Sequence, residues 1–198
     1  MTKRLIKTLA DHTALRGVIA GDVAGNSGGA AAGAGAVAGN SPGDGLTKTV
    51  ITMTNFTIPL VDNAGVDAHG GLKFFDFPAG VISIENAHSA LAITKSSAGV
   101  NATWNGDFSV GSVVAAADAT LTGTEANIIP STSTPAGVAG VSSANGDMTT
   151  ALRAGTTGAA LDAYLNVLVD DADHDVTTTP CNLIFNGTIT LWWRNLST

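Results

Sequence analysis

The chain has 198 residues, enough for one well-buried domain of roughly 150 residues plus an appendage and too few for two full domains. Only 13% of residues are charged while Gly, Ala and Thr are over-used, which fits Thr-rich strands joined by Gly-rich turns and argues against a helical protein. The net charge of −7 is uneven: Lys3, Arg4, Lys7 and Arg16 against Asp11 give +3 over the first seventeen residues. Five basic against fifteen acidic side chains leave −10 for the remainder, so the body should repel nucleic acid and anionic membrane.

In residues 1–20 the apolar positions Leu5, Ile6, Leu9, Leu15, Val18 and Ile19 fit a short basic amphipathic helix imperfectly, and a disordered tail is the competing reading. Lys7, Asp11, His12 and Arg16 interrupt the apolar stretch that a signal peptide would need, so none is expected. Nor does any segment approach the ~20 apolar residues of a spanning helix, and a soluble protein is expected. Residues 21–45 offer almost no side chain large enough to bury. They cannot offset their own ordering entropy and read as a flexible or extended arm unless a partner orders them. The chain therefore divides into a basic segment with a Gly/Ala-rich arm at 1–45 and a β-sandwich body at 46–198.

The body opens on a long strand over residues 47–58, where Ile51 and Met53 alternate with Thr before a one-residue slip at Asn55 shifts the apolar phase to Phe56 and Ile58. Pro59 ends the pairing or marks an edge. A short strand at 72–77 is closed by Pro78, and two strand-like runs at 81–84 and 90–94 flank polar Glu85 and Asn86. Further runs are expected at 102–110 and 112–121. Residues 122–129 suit one helical turn with Thr124 as N-cap and Asn127 at the position of a capping-box acid. A Ser/Thr/Pro/Gly loop is expected to about residue 146, then strands at 161–169 and 182–193 around an acidic turn. Many short strands with turn residues between them predict an all-β fold, a jelly roll or β-sandwich.

Chemistry-bearing motifs are sparse. The acidic turn gathers Asp170, Asp171, Asp173, His174 and Asp175, and alternate carboxylates of this kind suit a hard cation such as Ca²⁺. With Asp170 as the first position, however, the sixth is Asp175 instead of Gly and the twelfth is Cys181 instead of Glu. Asp170, Asp171, Asp173 and Asp175 are thus weak metal candidates, and a solvated acidic hairpin is the preferred reading. His12, His69, His88 and His174 lack zinc-ligand spacing. Cys181 has no partner for an intramolecular disulfide and stands at the entrance to an apolar strand, where it reads as a small core residue. The Gly/Ala run has no phosphate-loop signature, and the four Asn-X-Ser/Thr sequons carry no functional weight. Trp104, Trp192, Trp193, Phe74, Phe75 and Tyr164 are candidates for an aromatic platform. Adjacent Trp192 and Trp193 must face opposite sides of a strand, so at most one enters the core and the other is free to meet a partner.

The segment 46–57, the block from Gly71 through Pro78, the stretch 168–176 and the closing 186–191 resemble a group of virion structural proteins of tailed bacteriophages of aquatic bacteria. The resemblance spans roughly residues 46–195 and rests on structural motifs. It implies a non-enzymatic decoration or cement protein, without catalytic residues or cofactor, that stabilises the capsid by bridging major capsid protein subunits. It further implies a homotrimer on the outer capsid surface of the virion, produced in the host cytoplasm; the acidic body argues against nucleic acid and membrane as partners. The alternative is a head-fibre or tail-associated protein that binds a receptor or glycan.

Overall fold

The computed structural model describes residues 45–62, 66–116, 119–135, 139–155 and 160–196, together with the backbone of two strands in the N-terminal segment. The helix or tail expected for residues 1–20 lies outside the described residues. The strands are β1 (Asp22–Val23), β2 (Ala34–Asn40), β3 (Thr47–Pro59), β4 (Ala68–Asp76), β5 (Ile82–Lys95) and β6 (Gly106–Gly111). They continue as β7 (Ile129–Thr134), β8 (Val141–Asp147), β9 (Leu152–Ala154), β10 (Asp162–Val169) and β11 (Asn182–Asn195). One sheet runs β1-β4-β10-β6-β7 and the other β2-β3-β11-β5-β8, with β9 paired to β5.

Every ladder is antiparallel. Within these sheets, β3-β11-β5-β8 face β4-β10-β6-β7, and the chain changes sheet at each step between these strands except from β6 to β7. That interleaving is the order of a jelly roll, so the expected all-β sandwich is the fold observed. Two described stretches of the arm, β1 and β2, are strands, and the edges they meet belong to the body. β1 continues the first sheet beyond β4, and β2 continues the second beyond β3, with Ala34 opposite Met53 and Asn40 opposite Thr47.

Alternation, broken once in β3 at Asn55, places Ile51, Met53, Phe56 and Ile58 of β3 and Leu183, Phe185, Ile189, Leu191 and Trp193 of β11 in one continuous core. The phase slip at Asn55 is real: its φ is +53°, its N–H donates to Asn186 Oδ1 at 2.9 Å, and the β3–β11 register shifts between Phe185 and Gly187. The extra residue lets Phe56 face inward again. Gly187 is required here, because its φ is +135° and a Cβ would come within 2.2 Å of the Ala90 carbonyl oxygen. Of the tryptophan pair, Trp193 is buried and Trp192 half-exposed, as their adjacency demands. Trp193 donates through Nε1 to Thr49 Oγ1 at 2.9 Å and meets the Phe77 ring edge-on at 5.4 Å between centroids.

Four expected boundaries are corrected. The runs at 81–84 and 90–94 form a single strand, β5, because a bulge opposite Trp192 and Trp193 absorbs polar Glu85 and Asn86. The described residues of the 112–121 run, 112–116 and 119–121, form no strand; they lie over the outer face of the first sheet, where Ala115 and Leu121 pack on Leu168. The helical turn is a 3-10 turn at Gly123–Glu125, capped by Thr122 with Glu125 as its acid, because the Thr122 N–H bonds Glu125 Oε2 at 3.4 Å. The loop expected before residue 146 contains strands β7 and β8.

The crossing segment is pinned by one polar side chain. Asn166 is fully buried in β10; its Oδ1 accepts from Ala115 N at 2.8 Å, and its Nδ2 donates to Val113 O at 2.9 Å and Glu125 O at 2.8 Å. Gly71, opposite it on β4, supplies the space, since a Cβ there would lie 2.4 Å from Asn166 Oδ1. All four hydrogen-bonding positions are not needed: three bonds satisfy the group well enough to be stabilising in a low-dielectric setting.

Candidate functional site

The acidic turn is built as a fold element. A 3-10 turn at Asp171–Asp173 follows β10, and Asp173 Oδ2 accepts from the backbone N–H and side-chain amide of Asn105 at 2.8 and 3.1 Å. Asp175 Oδ1 accepts from Thr178 N at 3.3 Å, and Asp171 N donates to Asp67 Oδ1 at 3.0 Å. Burial, with Asp67, Asp173 and Asp107 nearby, raises the Asp170 carboxyl above the ordinary aspartate range. Among the described residues no three His, Cys, Asp or Glu side chains are placed to hold a metal ion. Asp170, Asp171, Asp173 and Asp175 thus sit in one turn without forming a coordination shell. Chelation should accordingly leave the melting temperature unchanged. An ion held at a hundred times its Kd would contribute about 2.7 kcal/mol, so a melting temperature that falls in chelator and returns with Ca²⁺ would overturn this assignment.

The histidines are dispersed and His12 lies outside the described residues. His69 exchanges main-chain bonds with Val61, His88 Nδ1 lies 2.6 Å from Asp147 Oδ1, and His174 Nε2 lies 3.3 Å from Val66 O. Cys181 is buried in the core as its surroundings in the sequence suggested. Burial pushes its thiol up, but hydrogen bonds with Ser97 and Ser96 outweigh that and hold it below the ordinary thiol range.

A charged cluster that spacing alone does not reveal lies where β1, β4 and β10 run side by side. Asp76 stands in register with Asp22 on one side and Asp162 on the other. Lys73 Nζ lies 2.8 Å from Asp76 Oδ1 and 3.7 Å from Asp162 Oδ1, and the Tyr164 hydroxyl donates to Asp162 Oδ2 at 3.1 Å. The Asp76 hydrogen bond raises the Lys73 pKa. Burial, then the Asp76 hydrogen bond, raises Asp162 against the opposing pull of Lys73. Burial and the neighbouring Asp162 raise Tyr164. A carboxyl raised in the folded state binds its proton more tightly there than in the unfolded chain, so its contribution to stability falls as pH rises from the unfolded aspartate value through the folded one. Asp162→Asn should therefore melt higher than the parent at pH 7, with the gap closing as pH falls towards 4. A gap that widens on acidification would reverse the sign.

The aromatic platform does not assemble. Trp104, Phe74 and Phe75 are buried with Trp193, and Tyr164 belongs to the charged cluster. Trp192 lies on the outer face of the second sheet, with Lys48 Nζ 5.4 Å from its ring centroid and the Arg194–Glu85 pair, 3.6 Å apart, on the neighbouring residues of β11 and β5. The next row carries the exposed His88–Asp147 pair, and the rows after it are uncharged. One row across the sheet is Thr52, Thr188, Ala90 and Asn145, and another is Thr57, Ile184, Thr94 and Val141. No protein-family model, curated protein or solved structure matches the chain. No helix among the described residues is long and apolar enough to cross a membrane.

Proposed function

We propose that this protein is a non-enzymatic virion component that decorates and stabilises a bacteriophage capsid by bridging major capsid protein subunits. In this reading it acts as a homotrimer on the outer capsid surface after synthesis in the bacterial cytoplasm. The observation that carries the reading is the jelly roll whose arm adds strands to both sheets: β2 pairs with β3 through backbone groups along seven residues. Backbone pairing of that kind is available at any exposed strand edge, so the same segment suits an edge on a neighbouring subunit. A trimer would multiply modest single contacts into retention stronger by about 10² to 10⁴. The charge pattern of the sequence also supports a protein partner over nucleic acid.

Half-exposed Trp192 favours a second reading, a head-fibre or tail-associated protein whose aromatic surface stacks on a receptor glycan. Imaging of particles separates the two: density over the whole lattice supports decoration, and density at one vertex supports the tail reading.

Binding to undecorated capsids tests the role of the arm. Deleting residues 1–45 should weaken attachment at least tenfold while the circular dichroism of the body stays β-type. Part of the loss should vanish at high salt, because the basic segment at 1–17 contributes a screened attraction. Equal affinity of the two proteins would show that the body alone makes the contact.

A further inference from the structure

We infer that the end of the second sheet around Trp192 is a binding site for an acidic saccharide, whose ring stacks on the indole while Lys48, Arg153 and Arg194 take its carboxylates. The assignment deepens the glycan-binding reading of the preceding section, on which it rests, by naming the residues and the charge of the sugar. These residues meet only through strand register. Antiparallel pairing sets Trp192 of β11 between Lys48 of β3 and Asn86 of β5. In the adjoining row, Ser83 of β5 stands between Arg194 of β11 and Arg153 of β9. Both rows face outward, because the chain neighbours Trp193, Ile84 and Leu152 turn to the core. With strands about 4.8 Å apart and about 3.4 Å per residue, each of the three cations is rooted within about 12 Å of Trp192.

The charge of this end opposes that of the body. Residues 18–198 hold five basic side chains, and three of them stand here. Among the described residues no carboxylate pairs with Lys48 or Arg153. Glu85 accepts from the Ser83 hydroxyl at 2.8 Å and lies 3.6 Å from Arg194 Nε, an exposed pair that a ligand carboxylate can displace. In the next row Asp147 is engaged by His88 at 2.6 Å. A cationic spot on an acidic protein draws an anion to that spot and away from the rest of the surface, and a guanidinium holds a carboxylate through paired bonds. The surroundings favour a sugar over an acidic peptide. β11 is paired on both sides, so no backbone edge is open beside Trp192 for strand addition. The half-exposed indole offers a flat apolar surface, and Ser83, Asn86 and Thr190 place hydroxyl and amide groups around it for sugar hydroxyls. Lys48 Nζ, 5.4 Å from the ring centroid, makes an exposed contact weak enough to yield to a ligand.

Calorimetric titration of the full chain provides the test, with circular dichroism to verify folding of each variant. The probes are oligogalacturonate and oligosialate, the methyl ester of each, which keeps the rings and loses the charge, and polyglutamate, which keeps the charge without the rings. At least one acidic oligosaccharide should bind, and its ester should bind at least about tenfold more weakly. Trp192→Ala and Arg153→Gln should each weaken the acid by at least about tenfold, whereas Glu85→Gln should tighten it by about threefold by removing the internal competitor. If neither acid nor ester binds, the glycan reading itself falls. Esters that bind as well as the acids leave that reading standing and defeat the acidic specificity. Polyglutamate binding as tightly as the sugars would make the ligand an acidic peptide and overturn the proposal. Unchanged binding in folded Trp192→Ala and Arg153→Gln variants would place the saccharide elsewhere.

Discussion

Replacing Asn166 by alanine is expected to lower the folding free energy by about 3–5 kcal/mol, because it removes three hydrogen bonds at once and takes from the buried Ala115 N–H its acceptor. The partners, Ala115, Val113 and Glu125, all belong to the segment that crosses the first sheet. Ser109 supports the same place from β6, since its hydroxyl donates to Glu125 O at 2.7 Å. The loss should therefore have a spatial signature. Amide exchange should accelerate across residues 112–128 by more than it does in β3 or β11, whose ladders do not touch Asn166. Urea melts that place the variant within 1 kcal/mol of the parent (a small surface-like effect) would mean that Leu121 and Leu168 hold the crossing segment without it.

Trp193→Ala should cost about 3–5 kcal/mol, whereas Trp192→Ala, one residue earlier, should cost under about 1 kcal/mol. The difference follows from the faces they occupy. Trp193 fills the core, packs edge-on against Phe77 and gives its N–H to buried Thr49, so truncation leaves both a cavity and an unpaired hydroxyl. Trp192 loses a half-exposed ring and the Lys48 contact. Thermal melts of the two variants in parallel check the contrast. Similar losses from both would mean that the bulge opposite them tolerates either residue inward.

The strands legible in the sequence were those with bulky apolar residues on one face. β3 and β11 announce themselves through alternation, and even the bulge at Asn55 shows as a slip in phase. β8 was invisible for a steric reason. Its inward positions are Ser142, Ala144 and Gly146, and a Cβ on Gly146 would lie 2.7 Å from Ile129 Cγ2 and 2.9 Å from Phe108 Cζ. The opposing sheet has already filled that part of the core, so β8 must be small there and reads as loop. Misplacing residues 112–121 has a related origin, because Val and Ala in a cover over a sheet look like Val and Ala in a strand. A cue to that cover was present in β10, where Leu165, Val167, Leu168 and Val169 surround Asn166: residues apolar on both faces signal that both faces are packed. The Lys73–Asp76–Asp162–Tyr164 cluster left no comparable signal, since register between distant strands creates it.

The pairing of β3 with β11 also bears on how the protein is made. Pro59 and Asn182, opposite one another at the end of that ladder, are 123 positions apart. At about 5–20 residues per second, a ribosome needs roughly 6–25 s to supply the missing strand. During that interval β3 would present a long apolar edge, the kind of surface on which nascent chains aggregate. β2 has already emerged by then and needs only a hairpin-scale closure, which takes microseconds. Pairing of the Gly/Ala strand at that stage would shield one edge of β3, and a nascent chain without it should depend more heavily on chaperones to reach the native fold.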